Sequence, residues 1–280
     1  MSDPLRPSAA DACAEWSRRV RADRQQVDRF REEPERPDFY APVAAAFKAD
    51  PRRQDDPVLD ALRGLVEPGE TWLDIGAGGG RFALPIALLA KEVVAVDASE
   101  AMLGILHEAM AEYGVPNVRT IRSRWPMEDA PQADAALIAN VGNDIEQIGP
   151  FLDAMEASAR RLCVMINLAR PPASYAWPLW PLIHGEEREP LPSVPEFLSL
   201  LLARGKLFEV RLFPRRPMSF ENPEDALPFL RQQLWIREGG EKDLRLRKLL
   251  AETVRRGDDG RFTMSWGQPI PIALVTWRPG

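Results

Sequence analysis

The chain predicts an α/β fold: an open, mostly parallel sheet of seven strands with helices on both faces, preceded by a helical extension. Three observations predict it. From Glu70 onward, short apolar runs alternate with longer helix-period segments, the pattern of strands joined by crossover helices. The run Thr71-Trp72-Leu73-Asp74-Ile75-Gly76-Ala77-Gly78-Gly79-Gly80-Arg81-Phe82 reads as a strand, a glycine-rich turn and a helix start. A second apolar run, Glu92-Val93-Val94-Ala95-Val96, ends on Asp97.

Taken in order, residues 10–31 have helical periodicity, with Ala14, Trp16, Val20, Val27 and Phe30 among charges, and Pro34 and Pro37 end it. Helices are expected over Ala41–Phe47 and Pro57–Leu65, the second with Asp56 as N-cap. Pro68-Gly69 marks a turn. Residues 1–66 thus form an extension rather than a domain of their own, and 67–280 the main domain. The strands follow at Thr71–Ile75, Glu92–Asp97, Val118–Ile121, Ala135–Ala139 and Leu162–Leu168. Helices between them cover Phe82–Ala90, Ser99–Tyr113 and Ile145–Ala159. After Leu168 the alternation loosens into a Pro- and Trp-rich insertion at about 171–205, with a helix near Pro195–Ala203. Leu207–Phe213 is the sixth strand, and helices follow at 223–237 and 241–255. The end pairs Arg261–Trp266 with Ile270–Trp277, and Ile272–Trp277 is the antiparallel seventh strand.

Composition excludes several classes. The 280 residues carry 36 Lys and Arg against 42 Asp and Glu, a net charge of −6, which argues against an electrostatically gathered nucleic acid. Cys13 and Cys163 are the two cysteines; no C-x-x-C spacing, disulfide framework or metal site follows. No apolar run reaches the ~20 residues that span a bilayer, and the first residues do not read as a signal peptide. The expected setting is cytoplasmic, with no membrane partner.

The glycine turn indicates a nucleotide-like ligand. Glycine lets the backbone turn tightly and approach a ligand without a Cβ in the way. Asp97, just over twenty residues on, stands where a ribose diol is gripped. Asp74 discriminates between ligands. A pyrophosphate resting on the helix start would be repelled by it, whereas a ligand with a cationic amino group or sulfonium would not. Gly78-Gly79-Gly80-Arg81-Phe82-Ala83 also fits G-x-G-x-x-A, so an NAD(P)-dependent oxidoreductase is the competing enzyme reading.

The Asp-x-Gly-x-Gly-x-Gly run with a strand-end Asp closely resembles the class I S-adenosylmethionine-dependent methyltransferases, in their bacterial small-molecule branch. The resemblance covers about residues 70–170 strongly. It implies a Rossmann-like fold, S-adenosylmethionine as cofactor and S-adenosylhomocysteine as product. It also implies roles for individual residues. Asp74 would accept the amino group of the methionine moiety. Gly76, Ala77, Gly78 and Gly80 would give close backbone contacts, and Asp97 would take both ribose hydroxyls. Ala98 and Met102 would pack on adenine, Met102 having plain helix core as its other reading. The family's frequent Gly-Asp after the third strand is replaced by Arg122-Ser123-Arg124-Trp125-Pro126. Adenine recognition then falls to this loop's backbone, with Arg124 or Trp125 stacking, or with Trp125 packing inward. Asn140, after the fourth strand, lies where the methionine moiety passes. The Asp/Asn-Pro-Pro-Tyr/Phe tetrapeptide of DNA amino-methyltransferases and the Pro-Cys pair of cytosine C5 enzymes are absent.

The acceptor side is less defined. Pro37-Asp38-Phe39-Tyr40 would belong to a lid closing over the cofactor, with Tyr40 a candidate base. His184 is the other candidate, paired at i, i+4 with Trp180; its alternative is a capping or surface histidine before Gly185. The motifs specify the methyl donor, not the acceptor or the oligomeric state; the partner is a small-molecule acceptor. A protein that senses S-adenosylmethionine or its product without catalysis is the non-enzymatic reading.

Overall fold

The computed structural model describes residues 7–34, 38, 40–215, 218–265 and 269–280. Its central sheet has seven strands in the order β3-β2-β1-β4-β5-β10-β6. These are β1 (Thr71–Ile75), β2 (Glu92–Asp97), β3 (Val118–Arg122), β4 (Ala133–Ala139), β5 (Ala159–Leu168), β6 (Phe208–Phe213) and β10 (Ile272–Trp277). The pairings from β3 to β5 are all parallel. β10 enters antiparallel between β5 and β6.

Alternation of side chains along each strand feeds two cores. On one face Leu73, Ile75, Val94, Val96, Ala136, Ile138, Cys163 and Met165 meet α1 (Ala9–Phe30), α5 (Ile148–Ser158) and α7 (Val194–Ala203). On the other, Trp72, Val93, Ala95, Leu137, Val164 and Ile166 meet α2 (Pro57–Arg63), α3 (Ala83–Ala87) and α4 (Glu100–Tyr113). Asp74 shares the parity of Trp72 and so faces the α3 side. Asp56 caps α2 through Leu59 N–H at 3.3 Å. Ser99 caps α4 through Met102 N–H at 3.1 Å. Such caps satisfy amides that the helix cannot.

A third core lies off the sheet. α6 (Trp180–His184), α8 (Leu227–Leu234) and α9 (Glu241–Thr253) bury Trp180, Ile183, Leu230, Leu234, Leu246 and Leu250 against Val27 of α1. α1 therefore serves two regions: Trp16 and Val20 enter the sheet core, and Val27 enters this cap.

Two expectations change. Residues 261–265 do not pair with the last strand. β9 (Phe262–Met264) lies between β7 (Ser219–Phe220) and β8 (Val254–Arg256) in a separate three-stranded sheet. Both edges of β10 are already taken, one by β5 and the other by β6. The helix expected over Phe82–Ala90 is regular for Ala83–Ala87 and ends in turns. Trp266 and Phe39 lie outside the described residues.

Candidate functional site

The parallel strands end together at one edge of the sheet, where ligands of open α/β sheets bind. β1 delivers Asp74 and the glycine turn there; β2 delivers Asp97. The turn is folded by its own amides. Gly76 and Ala77 N–H both donate to Val96 C=O, at 2.8 and 3.1 Å, and Gly80 N–H donates to Ala77 C=O at 3.0 Å. Gly78 N–H donates to Asp97 Oδ2 at 2.8 Å, and Ser99 N–H to Asp97 Oδ1 at 2.8 Å. Asp97 thus joins the turn to the start of α4. Each carboxylate oxygen keeps a lone pair for an incoming hydroxyl.

The glycines divide their work. A Cβ at Gly76 would lie 2.5 Å from Val141 Cγ2, and one at Gly80 would lie 2.4 Å from Leu106 Cδ1. At these two positions the close approach is to the protein itself. A Cβ at Gly78 would meet only Met102 Sδ, at 3.8 Å. Met102 is buried directly under the turn, where both of its sequence readings would put it. Ala77 turns its methyl into the core.

Asp74 is 2% exposed, and its Oδ1 has no hydrogen-bond partner among the described residues. Burial, and then the charge of Asp97, push its carboxyl up to about 7, opposed by a hydrogen bond from the Ala83 amide. A buried carboxylate oxygen without a donor is costly, and a ligand ammonium would supply one.

The N-terminal segment reaches this edge. Asp38 accepts from Ser99 Oγ–H at 2.7 Å and from Ala101 N–H at 3.4 Å, and the Ser99 hydroxyl holds its carboxyl below the usual range. The 3-10 turn Ala41–Phe47 lies along α4, and the Phe47 carbonyl would be 3.2 Å from a Cβ at Gly79. Tyr40 is 43% exposed overall, with its ring edge-on to Phe47 at 6.0 Å. Burial of its hydroxyl, then the charges of Asp144 and Asp97, push that hydroxyl up to about 12. Tyr40 stands at the crevice mouth as a neutral phenol, a poor base at neutral pH.

The loop after β4 closes the other side. Asn140 adopts a left-handed φ of 56°, which Asn tolerates better than most residues, and its N–H donates to Ile166 C=O at 2.8 Å. Asn167 Nδ2–H donates to Asn143 Oδ1 at 2.8 Å, and Asn143 Nδ2–H to Pro192 C=O at 2.6 Å. This chain ties the loop to β5 and to the segment before α7. Sequence reasoning placed Asp38 in the lid segment without a role of its own and missed Asn143 and Asn167; an Asn ending the apolar run of β5 was the available signal for the last.

Among the remaining candidates, Ala98 lies between Asp97 and Ser99 at the site. Ala98 and Arg124 are exposed. Trp125 Nε1–H donates to Phe151 C=O at 3.2 Å and its ring, partly buried, packs on the sheet core, the arrangement its inward reading expects. His184 is in the cap. Its Nε2–H donates to Leu234 C=O at 2.9 Å, and its ring lies 4.2 Å from Trp180 and 4.9 Å from Phe30. Burial pushes it down to about 4. Its hydrogen-bond and ring partners, Leu234, Trp180 and Phe30, all belong to the cap rather than to the glycine turn.

Residues 73–162 match the family model described as Methyltransferase domain. An uncharacterized protein of Haemophilus influenzae is 30% identical over 122 residues, 43% of this chain and 44% of that protein. The 23S rRNA (uracil(1939)-C(5))-methyltransferase RlmD of Alkalilimnicola ehrlichii is 39% identical over 84 residues, 30% of this chain and 18% of that protein. The match thus spans less than half the length of either curated relative. Among solved structures, a putative methyltransferase from an antibiotic biosynthesis pathway of Anabaena variabilis superposes with a TM-score of 0.55 at 16% identity, over 82% of this chain and 99% of that one. Residues 73–162 are thus similar to a methyltransferase domain, and the likeness of fold to solved structures extends over most of the chain.

Proposed function

We propose that the protein transfers the methyl group of S-adenosylmethionine to a small molecule. One observation carries the reading: two carboxylates flank the glycine turn, and the buried one, Asp74, keeps an oxygen without a donor. That pairing suits a ligand with an ammonium at one end and a vicinal diol at the other. Asp74 would take the amino group, and Asp97 the two ribose hydroxyls. Gly78, Met102 and the backbone after β3 would border the nucleoside, and Asn140 the methionine chain. The cofactor would supply a methyl already activated on a sulfonium, so the protein's part is alignment and exclusion of water. Residues 38–48, clasped to α4 through Asp38, would form the cover. Tyr40 would line it.

A small acceptor is supported by the acidic character of the chain and of the crevice mouth, where Asp38, Asp97 and Asp144 gather. The likeness to an rRNA methyltransferase covers 30% of the chain, too little to carry over an RNA substrate. Among the described residues no helix is long and apolar enough to cross a membrane; with two free cysteines, a cytoplasmic setting fits.

Thermal unfolding with added ligand tests the donor. The melting temperature should rise with S-adenosylhomocysteine and stay put with NAD or NADP, because only a ligand of the native state stabilises it. A larger shift with NAD would replace the reading with a dehydrogenase. Tight S-adenosylhomocysteine binding with no methylated product from any small-molecule pool would leave a sensor.

A further inference from the structure

β6 is the last strand of the sheet, and its outer edge is open among the described residues. Its pairing with β10 runs without a bulge from Phe208↔Trp277 to Phe213↔Ile272. It contains no proline or lysine, the residues that commonly blunt such edges. Glu209, Val210, Arg211 and Leu212 are all exposed, Leu212 at 62%, and Leu207 beside them at 87%. An uncovered strand of this kind offers a row of backbone donors and acceptors to another strand.

The two faces of β6 differ. Phe208, Val210 and Leu212 share the face of Trp277, Val275 and Ala273, which belong to the sheet core under α1, α5 and α7. They extend that core past the edge as an apolar stripe. Glu209 and Arg211 project on the opposite face, and among the described residues neither has an ion-pair partner.

We propose that this edge is a self-association surface, on which a second copy of the chain adds its own β6 antiparallel, with the two-fold axis at Val210. Directly opposed residues of an antiparallel pair lie on the same face, so the register must centre on a residue. Centring on Glu209 or on Arg211 sets like charges against each other. Centring on Val210 sets Glu209 against the partner's Arg211, and Arg211 against the partner's Glu209. It also sets Phe208 against the partner's Leu212, continuing the apolar stripe. Opposed charges across strands stabilise and like charges destabilise, so of these three registers the charges favour the one centred on Val210, and that complementarity to itself favours a second copy as the partner. The contact is isologous and closes as a dimer. It is independent of the methyl-transfer reading.

Sedimentation velocity on the full chain tests it. The wild type should dimerise at micromolar concentration. Glu209→Arg and Arg211→Glu should each weaken the dimer by about tenfold or more, since both cross-strand pairs turn repulsive. Mixed in equal amounts, the two variants should re-associate, because one chain then presents two arginines and the other two glutamates. The Glu209→Arg/Arg211→Glu double variant should dimerise alone. A variant that had merely misfolded would not be rescued by mixing. A wild type that stays monomeric through the micromolar range, a dimer indifferent to both single changes, or single variants that fail to re-associate would each overturn the proposal.

Discussion

Asp74, which is buried, and His184, which is partly buried, each have one buried polar atom without a hydrogen-bond partner among the described residues, yet they belong to regions built in different ways. Asp74 sits where β1 runs into the glycine turn, and its surroundings come from neighbouring strands of one sheet. His184 sits in a cap assembled from three distant stretches, α1, α6 and the pair α8 and α9. Burial disfavours the charged form in each case, so the two shift in opposite directions. The crevice keeps an acid neutral to about 7, and the cap keeps a base neutral to about 4. A site awaiting a cation and a packed apolar core thus use the same desolvation to different ends.

The comparison breaks if the regions prove to be one. Trp180→Ala should remove about 3–5 kcal/mol of stability by emptying the middle of the cap. Affinity for S-adenosylhomocysteine, measured by calorimetry well below the lowered melting temperature, should stay within about threefold. A collapse of affinity would mean that α1, which serves both cores, transmits the damage.

Gly80→Ala probes the other region. Its φ of +83° is left-handed, and the new methyl would overlap Leu106. Together these should cost about 2–5 kcal/mol, read as a lower melting temperature. A near-neutral result would show that α4 shifts freely, and that the turn is less constrained than its contacts suggest.

Asp97→Ala should weaken S-adenosylhomocysteine binding by about 1.5–3 kcal/mol, through loss of charge-assisted hydrogen bonds. Unchanged affinity in a folded variant would remove the ribose assignment.

The smallest effects are in pH, and they sharpen the contrast most. Asp74 rises from 3.8 to about 7. Its contribution to stability is full below about pH 4 and is lost as pH rises through about 7. A ligand ammonium favours the carboxylate, so affinity for S-adenosylhomocysteine should grow as pH rises through 7, with proton release seen as buffer-dependent heat. Asp74→Asn should flatten that profile. His184 falls from 6.5 to about 4. Its contribution is present above about pH 6.5 and is lost as pH falls through about 4. Protection of α6 and α8 against hydrogen exchange, relative to the intrinsic rate at each pH, should therefore fall on acidification, and less so in His184→Gln. Equal acid sensitivity in that variant would place the weak point elsewhere.

The same division governs what the sequence reveals. The strands, the turn, Asp74, Asp97 and the Asp56 cap are readable because each depends on neighbours a few residues away. The pairing of β9 with β7 and β8, the placement of His184 and the inward turn of Trp125 depend on contacts between distant segments. Composition near His184 resembles an acceptor pocket because a cap core and a ligand pocket draw on the same aromatic residues. Asp38 is legible only once α4 lies beneath it.

One contact made by Asp97 has a further consequence. Both of its oxygens are already held by backbone N–H groups of Gly78 and Ser99 before any ligand arrives. The fork is therefore set in one rotamer, and a diol meets it without an entropic penalty on the protein side. Asp97→Glu retains the charge but reaches too far for both amides. Its defect should appear in the binding entropy rather than in the enthalpy, as the signature of a lost preorganisation.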